Sequence, residues 1–122
     1  MIELLKGFPD NVVALACHGH VSREDYDKVL VPAVDKALQS NDKVRLLYEI
    51  GGDFEGYDVG AAWEDFKVGM EHFSRWERIA VITDIEWIKH SMQLFSFVMP
   101  GTARVYPTTE AAKARLWITQ AA

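Results

Sequence analysis

One cysteine, Cys17, stands among the 122 residues. An internal disulfide framework is therefore excluded, and a reducing compartment is expected. Lysine and arginine form no run, and the net charge is −5 at pH 7. Binding driven by nucleic-acid phosphates needs a basic patch, so no nucleic-acid partner is expected. No apolar run approaches the ~20 residues of a membrane span. The opening MIELLKGFPD lacks a basic segment followed by a long apolar one, so no secretion signal is read there. A cytoplasmic protein is expected, with any membrane contact peripheral. Residues 41–73 contain neither serine nor threonine, and G-x-S-x-G is absent throughout. Both absences count against hydroxyl chemistry in the middle of the chain.

What is present fits an ordinary folded domain. Apolar residues make up 49% and charged residues 25%, and the length suits one domain with one core. Residues 2–6 read as a short edge strand, "GFPDN" as a turn, and "VVALAC" (12–17) as a strand buried on both faces. The first two strands are expected to pair as a hairpin. "SREDYDKVLVPAVDKALQSND" reads as a helix with Ser22 and Asp25 in capping-box spacing. Its apolar stripe is Tyr26, Val29, Leu30, Ala33, Val34, Ala37 and Leu38. Pro32 lies inside this helix on its outer side and is expected to kink it. Then come a strand at 44–50, a helical stripe from Val59 to Phe73, and a strand at 79–83. A helix at 86–99, a strand at 103–106 and a closing helix after Pro107 complete the chain. Strands alternating with helices predict an α/β fold in a single domain. The expected sheet is mixed, mostly parallel and five-stranded, with four main helices.

The segment "GGDFEGYDVG" (51–60) holds four of the eight glycines and reads as a loop. It does not read as a phosphate cradle. Its carboxylates Asp53, Glu55 and Asp58 repel phosphate, and the spacing fits neither the Walker nor the dinucleotide pattern. The series Asp53-x-Glu55-x-Tyr57 breaks the EF-hand ligand pattern, so no metal is expected. A solvated acidic rim accounts for the carboxylates. The aromatics point elsewhere. Phe54 and Tyr57 on this loop, Trp63 on the stripe after it, and Trp87 and Phe95 on the helix 86–99 form a candidate lining for an apolar or amphipathic ligand. The plain alternative is that they are core. At ~100° per residue, Ile88, Met92, Phe95 and Met99 share one face of that helix, flanked by Trp87, Leu94 and Val98. Phe97 falls on the opposite side, a candidate contact for a partner or membrane surface.

His18-x-His20 can place two imidazoles on one side of an extended segment, but zinc needs three or four ligands and the rest are not evident. His72 and His90 read as polar helix-face residues. Cys17, at the end of a buried strand, reads as packing. Glu49 and Asp84 lie near strand ends, where α/β folds place functional groups. For Asp84 the preferred reading is a cap on the next helix.

The chain resembles the SpoIIAA-like family, related to STAS domains and, by fold, to the lipid-binding CRAL-TRIO domains. The resemblance rests on "YDKVLVPAVDKAL" with its mid-helix proline, "DFEGYDVGAAWEDFKVGMEHF", "RIAVITDIEWIKH", "MPGTARVYP" and "EAAKARLWI", in order along the chain. It implies a small SpoIIAA/STAS-like sheet domain that is not an enzyme, with no cofactor. It also implies apolar-ligand binding and membrane association, as proposed for such proteins. Anti-sigma-factor antagonists of the related group carry a phosphorylatable serine after the strand matching 44–50. This chain has none there, so regulation through that serine is not expected.

Three readings stand at this level. The first is a non-enzymatic domain binding an apolar or amphipathic small molecule, with peripheral membrane contact. The second is a STAS-type protein-interaction module, with a homodimer among its forms. The third is a small enzyme using Glu49 or Asp84, and it has the least support.

Overall fold

The computed structural model describes residues 1–57, 73–98 and 101–121, without the side chains of Tyr57, Phe73, Phe95 and Val98. Five strands form one sheet in the order β1-β2-β3-β4-β5. They are β1 Ile2–Leu4, β2 Val12–Val21, β3 Val44–Tyr57, β4 Trp76–Ile82 and β5 Thr102–Tyr106. β1 runs antiparallel to β2, and the remaining three pairings are parallel. The hairpin between β1 and β2 turns on Gly7, whose φ of 90° favours glycine. Val12 N–H donates to the Pro9 carbonyl at 3.0 Å and closes the turn.

The described helices at 23–40 and 86–98, which follow β2 and β4, both pack on one face of the sheet. That face carries the larger core. Val13, Leu15, Cys17, Val44, Tyr48, Ile50, Ile79 and Val81 point into it from the strands. Tyr26, Leu30, Val34 and Ile88 meet them from the helices. The opposite face, built on Val12, Ala14, Leu47, Ala80 and Ile82, is covered by Ala114, Trp117 and Ile118 of the closing helix. Strand alternation sorts the apolar residues of β2 and β3 between two buried faces. This is why "VVALAC" reads as an unbroken run.

The first helix, α1, is a sequence of three segments: Arg23–Asp25, a π-helical Tyr26–Leu30, and Val31–Ser40. The expected capping box is present. Ser22 Oγ accepts from Asp25 N–H at 3.2 Å, and Asp25 Oδ2 accepts from Ser22 N–H at 2.8 Å. The remaining helices are α2, Glu86–Val98, and α3, Ala111–Thr119. Three of the four expected helices thus fall within the described residues. The stripe from Val59 lies outside them, apart from a 3₁₀ turn at Phe73–Arg75.

The π segment is the structural answer to Pro32. A proline inside a helix lacks the N–H and crowds the carbonyl four residues back. Here Val31 N–H reaches five residues back to the Tyr26 carbonyl. The widened turn relieves the crowding, and the proline ring stays exposed. Pro32→Ala is therefore expected to be near neutral or slightly stabilising, within ~1 kcal/mol in urea denaturation. A loss above ~2 kcal/mol would show that the widened turn is needed to seat Tyr26.

Two strands are longer than their composition suggests. Residues 51–57, expected as a loop, continue β3, and β2 runs through "CHGH" to Val21. Glycine disfavours strand interiors, but here it sits where the ladder is irregular. Register shifts fall between Cys17 and Gly19 and between Gly19 and His20, where Gly19 has φ 57° and Gly56 has φ 134°.

Candidate functional site

α2 follows β4 through Thr83, Asp84 and Ile85. Thr83 is fully buried, and its Oγ1 accepts from Ile85 N–H at 3.1 Å, which starts the helix. Ile88 is buried, and Met92 packs partly buried against the larger core. These two anchor the inner face. The outer face is apolar too. Trp87 is 57% exposed, Leu94 71% and Phe97 86%. At ~100° per residue the three fall within an arc of roughly 80°, with His90 between them.

The polar groups on this helix are largely turned on one another. Ser91 Oγ donates to the Trp87 carbonyl at 2.9 Å, and Ser96 Oγ to the Gln93 carbonyl at 2.6 Å. Glu86 lies 3.7 Å from Lys89 Nζ and 3.9 Å from His90 Nε2. The outer face is thus nearly neutral and apolar, although the chain as a whole is acidic.

Phe97 lies where the spacing places it, in water. Leu94, expected to flank the core face, is exposed as well. Trp87, one of the candidate lining residues, stands mostly in water on the same outer face. Phe54 is not on a loop. It belongs to the extended β3, pairs in register with Gly19, and packs partly buried against the core. Trp63 lies outside the described residues, as do the side chains of Tyr57 and Phe95. The described members of the lining set therefore divide between core, Phe54, and surface, Trp87.

The acid–base candidates each have a partner. Glu49 Oε2 accepts from Arg115 Nη2 at 2.8 Å. Asp84 does not cap the next helix, whose start is held by Thr83; it reaches instead to the far end of the following crossover. It accepts from Thr108 N–H at 3.1 Å and from Thr108 Oγ1 at 2.5 Å, ordering the turn that leads into α3. Those bonds, the hydroxyl's first, hold the Asp84 carboxyl below its usual range. Cys17 is fully buried. His18 and His20 are separated by the register shifts in β2, and His18 instead meets two carboxylates from neighbouring strands. His72 lies outside the described residues. Among the described residues, no cluster of three or more His, Cys, Asp or Glu is arranged to hold a metal. No described helix is long and apolar enough to cross a membrane.

This architecture defines a small mixed-sheet α/β domain with α1 and α2 on one face and the closing helix α3 on the other. The SpoIIAA-like family model matches residues 12–119, and the chain belongs to that family. An uncharacterised protein from Shewanella loihica, solved by crystallography and described as having a SpoIIAA-like fold, superposes with a TM-score of 0.75 at 22% identity. The match covers 97% of this chain and 92% of that one, and at this identity it speaks for the fold alone. No curated protein matches the sequence.

Proposed function

We propose that the chain is a non-enzymatic SpoIIAA-like binding domain that docks reversibly on a neutral amphiphilic surface through the outer face of α2. The exposure of Trp87, Leu94 and Phe97 on one helix face carries this reading. Isolated exposed apolar residues are common, but three large ones in one arc are not. Taking roughly 150–250 Å² for each side chain, the exposed part of the trio comes to about 450 Å². A stable protein interface needs ~800 Å² from each partner, so the patch alone is small for a permanent dimer. It suits shallow insertion among lipid or detergent chains, where a helix lies in the interface with its apolar face inward. Anionic headgroups are disfavoured, because the chain is acidic and the two basic groups of this helix face already lie beside Glu86.

Flotation with phosphatidylcholine vesicles tests the reading. The protein is expected to co-float, no better with phosphatidylglycerol vesicles, and Phe97→Asp is expected to lower the bound fraction about tenfold, since a charge replaces a buried ring. If neither vesicle binds, or Phe97→Asp floats as well as the parent, the reading fails. Concentration-dependent association in sedimentation that Phe97→Asp abolishes, without vesicle binding, would replace it with the protein-interaction module.

A further inference from the structure

The ladder between β2 and β3 shifts register twice around Gly19, and the larger shift comes first. Cys17 pairs with Ile50, but Gly19 pairs with Phe54. Two steps along β2 thus match four along β3, so Gly51, Gly52 and Asp53 lie opposite the single residue His18. The pairing of β3 with β4 has already ended at Glu49 and Ile82. Beyond this stretch, the distal half of β3 is held in the sheet by the register pairs of Phe54, Gly56 and Tyr57 with Gly19, His20 and Val21. A side chain spans the gap instead. His18 Nδ1 lies 2.9 Å from Asp53 Oδ2, and Nε2 lies 3.0 Å from Glu3 Oε1 on β1. One imidazole therefore links three strands where the backbone ladder lapses.

The chemistry of that link depends on a proton. A neutral imidazole has one N–H and one lone pair, so it can donate to only one of two carboxylates. The other carboxylate would face a lone pair at hydrogen-bond distance, which is repulsive. Only the imidazolium donates to both. We propose that His18 is a pH-sensitive latch that, when protonated, fastens the distal half of β3 and the β1 edge to β2, and on deprotonation lets the distal half of β3 loosen.

The surroundings agree. Glu3 faces the ring from β1 and Asp53 from β3. Glu55, also on β3, comes close to the site, its Oε2 being 3.7 Å from where a Cβ on Gly19 would stand. His20 is the neighbouring titratable group on β2 itself. The Met1 ammonium donates to the carbonyls of His18 and His20 at 2.8 and 2.6 Å and lies 3.4 Å from Asp25 at the start of α1. Carboxylates on the ring outweigh the ammonium behind it. The bond to Asp53, then that to Glu3, raises the His18 pKa above its ordinary 6.5. A histidine raised on folding stabilises most below its unfolded pKa, and that contribution is lost as pH rises through the folded value. The latch is thus closed in mild acid and opens toward alkaline pH. The side chains are partly solvated, so the effect is local rather than global.

Two measurements on the full chain test it: NMR titration of the His18 ring, and amide hydrogen exchange of residues 54–57 at pH 6.0 and 8.5, corrected for intrinsic rates. The ring is expected to titrate above 6.5, and protection to fall at least threefold toward pH 8.5. In Glu3→Gln/Asp53→Asn the ring midpoint should fall, and the pH dependence of protection should vanish. His18→Gln, which cannot become charged, should show the low protection at both pH values. A midpoint at or below 6.5, equal protection at both pH values, or a pH dependence that survives in either variant would overturn the proposal.

Discussion

Replacing Arg45 with alanine is expected to destabilise the protein by about 3 kcal/mol, read as a lower urea midpoint with an unchanged slope. Arg45 sits on β3, facing the closing helix, and only 5% of it is exposed. Its Nε donates to Glu77 Oε1 at 2.5 Å, and Nη1 donates to the Ile118 carbonyl at 3.0 Å and to that of Gln120. The guanidinium thereby joins β3, β4 and the C-terminal end of α3. Carbonyls at a helix end have no partners within the helix, and a cation there also meets the negative end of the helix dipole. Removing Arg45 leaves the buried Ile118 carbonyl without its guanidinium donor and a carboxylate that has lost its cation, while the Gln120 carbonyl keeps Arg78. The full penalty for breaking a buried pair is ~3–5 kcal/mol. Glu77 is about one-third exposed and can rehydrate, so the lower end is expected. Arg45→Met keeps the apolar stem and should recover only a small part of the loss. Arg78→Ala is a useful contrast. Arg78 donates to the carbonyls of Trp117 and Gln120 from a more open position and stacks on the Trp117 ring at 5.2 Å. About 1 kcal/mol is expected there. A loss below ~1 kcal/mol for Arg45→Ala would mean that water replaces the guanidinium at the helix end.

The way this fold could be read from its sequence follows the range of each interaction. The capping box at Ser22 and Asp25 is local, and it forms as its spacing predicts. "VVALAC" and "IAVIT" are buried on both faces, and a short, almost unbroken apolar run suffices to show that. The hairpin of β1 and β2 needs only the turn chemistry of "GFPDN". The distal half of β3 was not legible, because four glycines in ten residues read as loop by propensity. Its strand conformation is imposed by pairing with a segment about 35 residues earlier in the chain. The π turn is a similar case. Pro32 signals a disturbance, but whether a helix kinks or widens depends on where Tyr26 must be seated. Tyr26 is fully buried, with its hydroxyl 2.7 Å from that of Tyr48.

The candidate site divides in the same way. Phe97 was legible because its neighbours on the helix wheel are polar. Trp87 and Leu94 were misplaced because both lie at the border of the apolar arc, where the wheel leaves inside and outside undecided. The buried width of a helix is set by what packs against it, which is tertiary information. Asp84 is expected to cap the next helix, but Thr83 takes that place and Asp84 serves a distant turn. Its partner, Thr108, is 24 residues on, beyond the reach of any local rule. The Glu3, His18 and Asp53 cluster comes from three different strands, and none of the three residues carries a local signal for it.

Gly101→Ala is expected to cost about 3 kcal/mol or more, and to do so without removing any contact. Gly101 stands just before β5, against the start of β4. A Cβ there would lie 2.5 Å from the Trp76 carbonyl oxygen, closer still to that of Glu77, and 2.8 Å from the Glu77 carbonyl carbon. All three are backbone atoms of a strand paired on both sides, so they cannot swing aside as the tip of a side chain can. The φ of Gly101 is not in the left-handed region, so the requirement is space rather than backbone angle. Relief would need β5 to move away from β4, which would strain the first register pair, Arg78 with Thr102. The damage should also reach α2. Its inner residues Ile88 and Met92 pack on the same core as Ala103 of β5, so the helix that carries Trp87, Leu94 and Phe97 would lose its seat. Urea denaturation should thus show the largest glycine-to-alanine effect among the described glycines, and vesicle flotation should weaken even where the variant remains folded. Gly52→Ala, where a Cβ meets nothing within 4 Å, should by comparison change stability by less than ~1 kcal/mol. If the two alanines cost the same, the close approach of Gly101 to β4 is not what holds α2 and β5 in place.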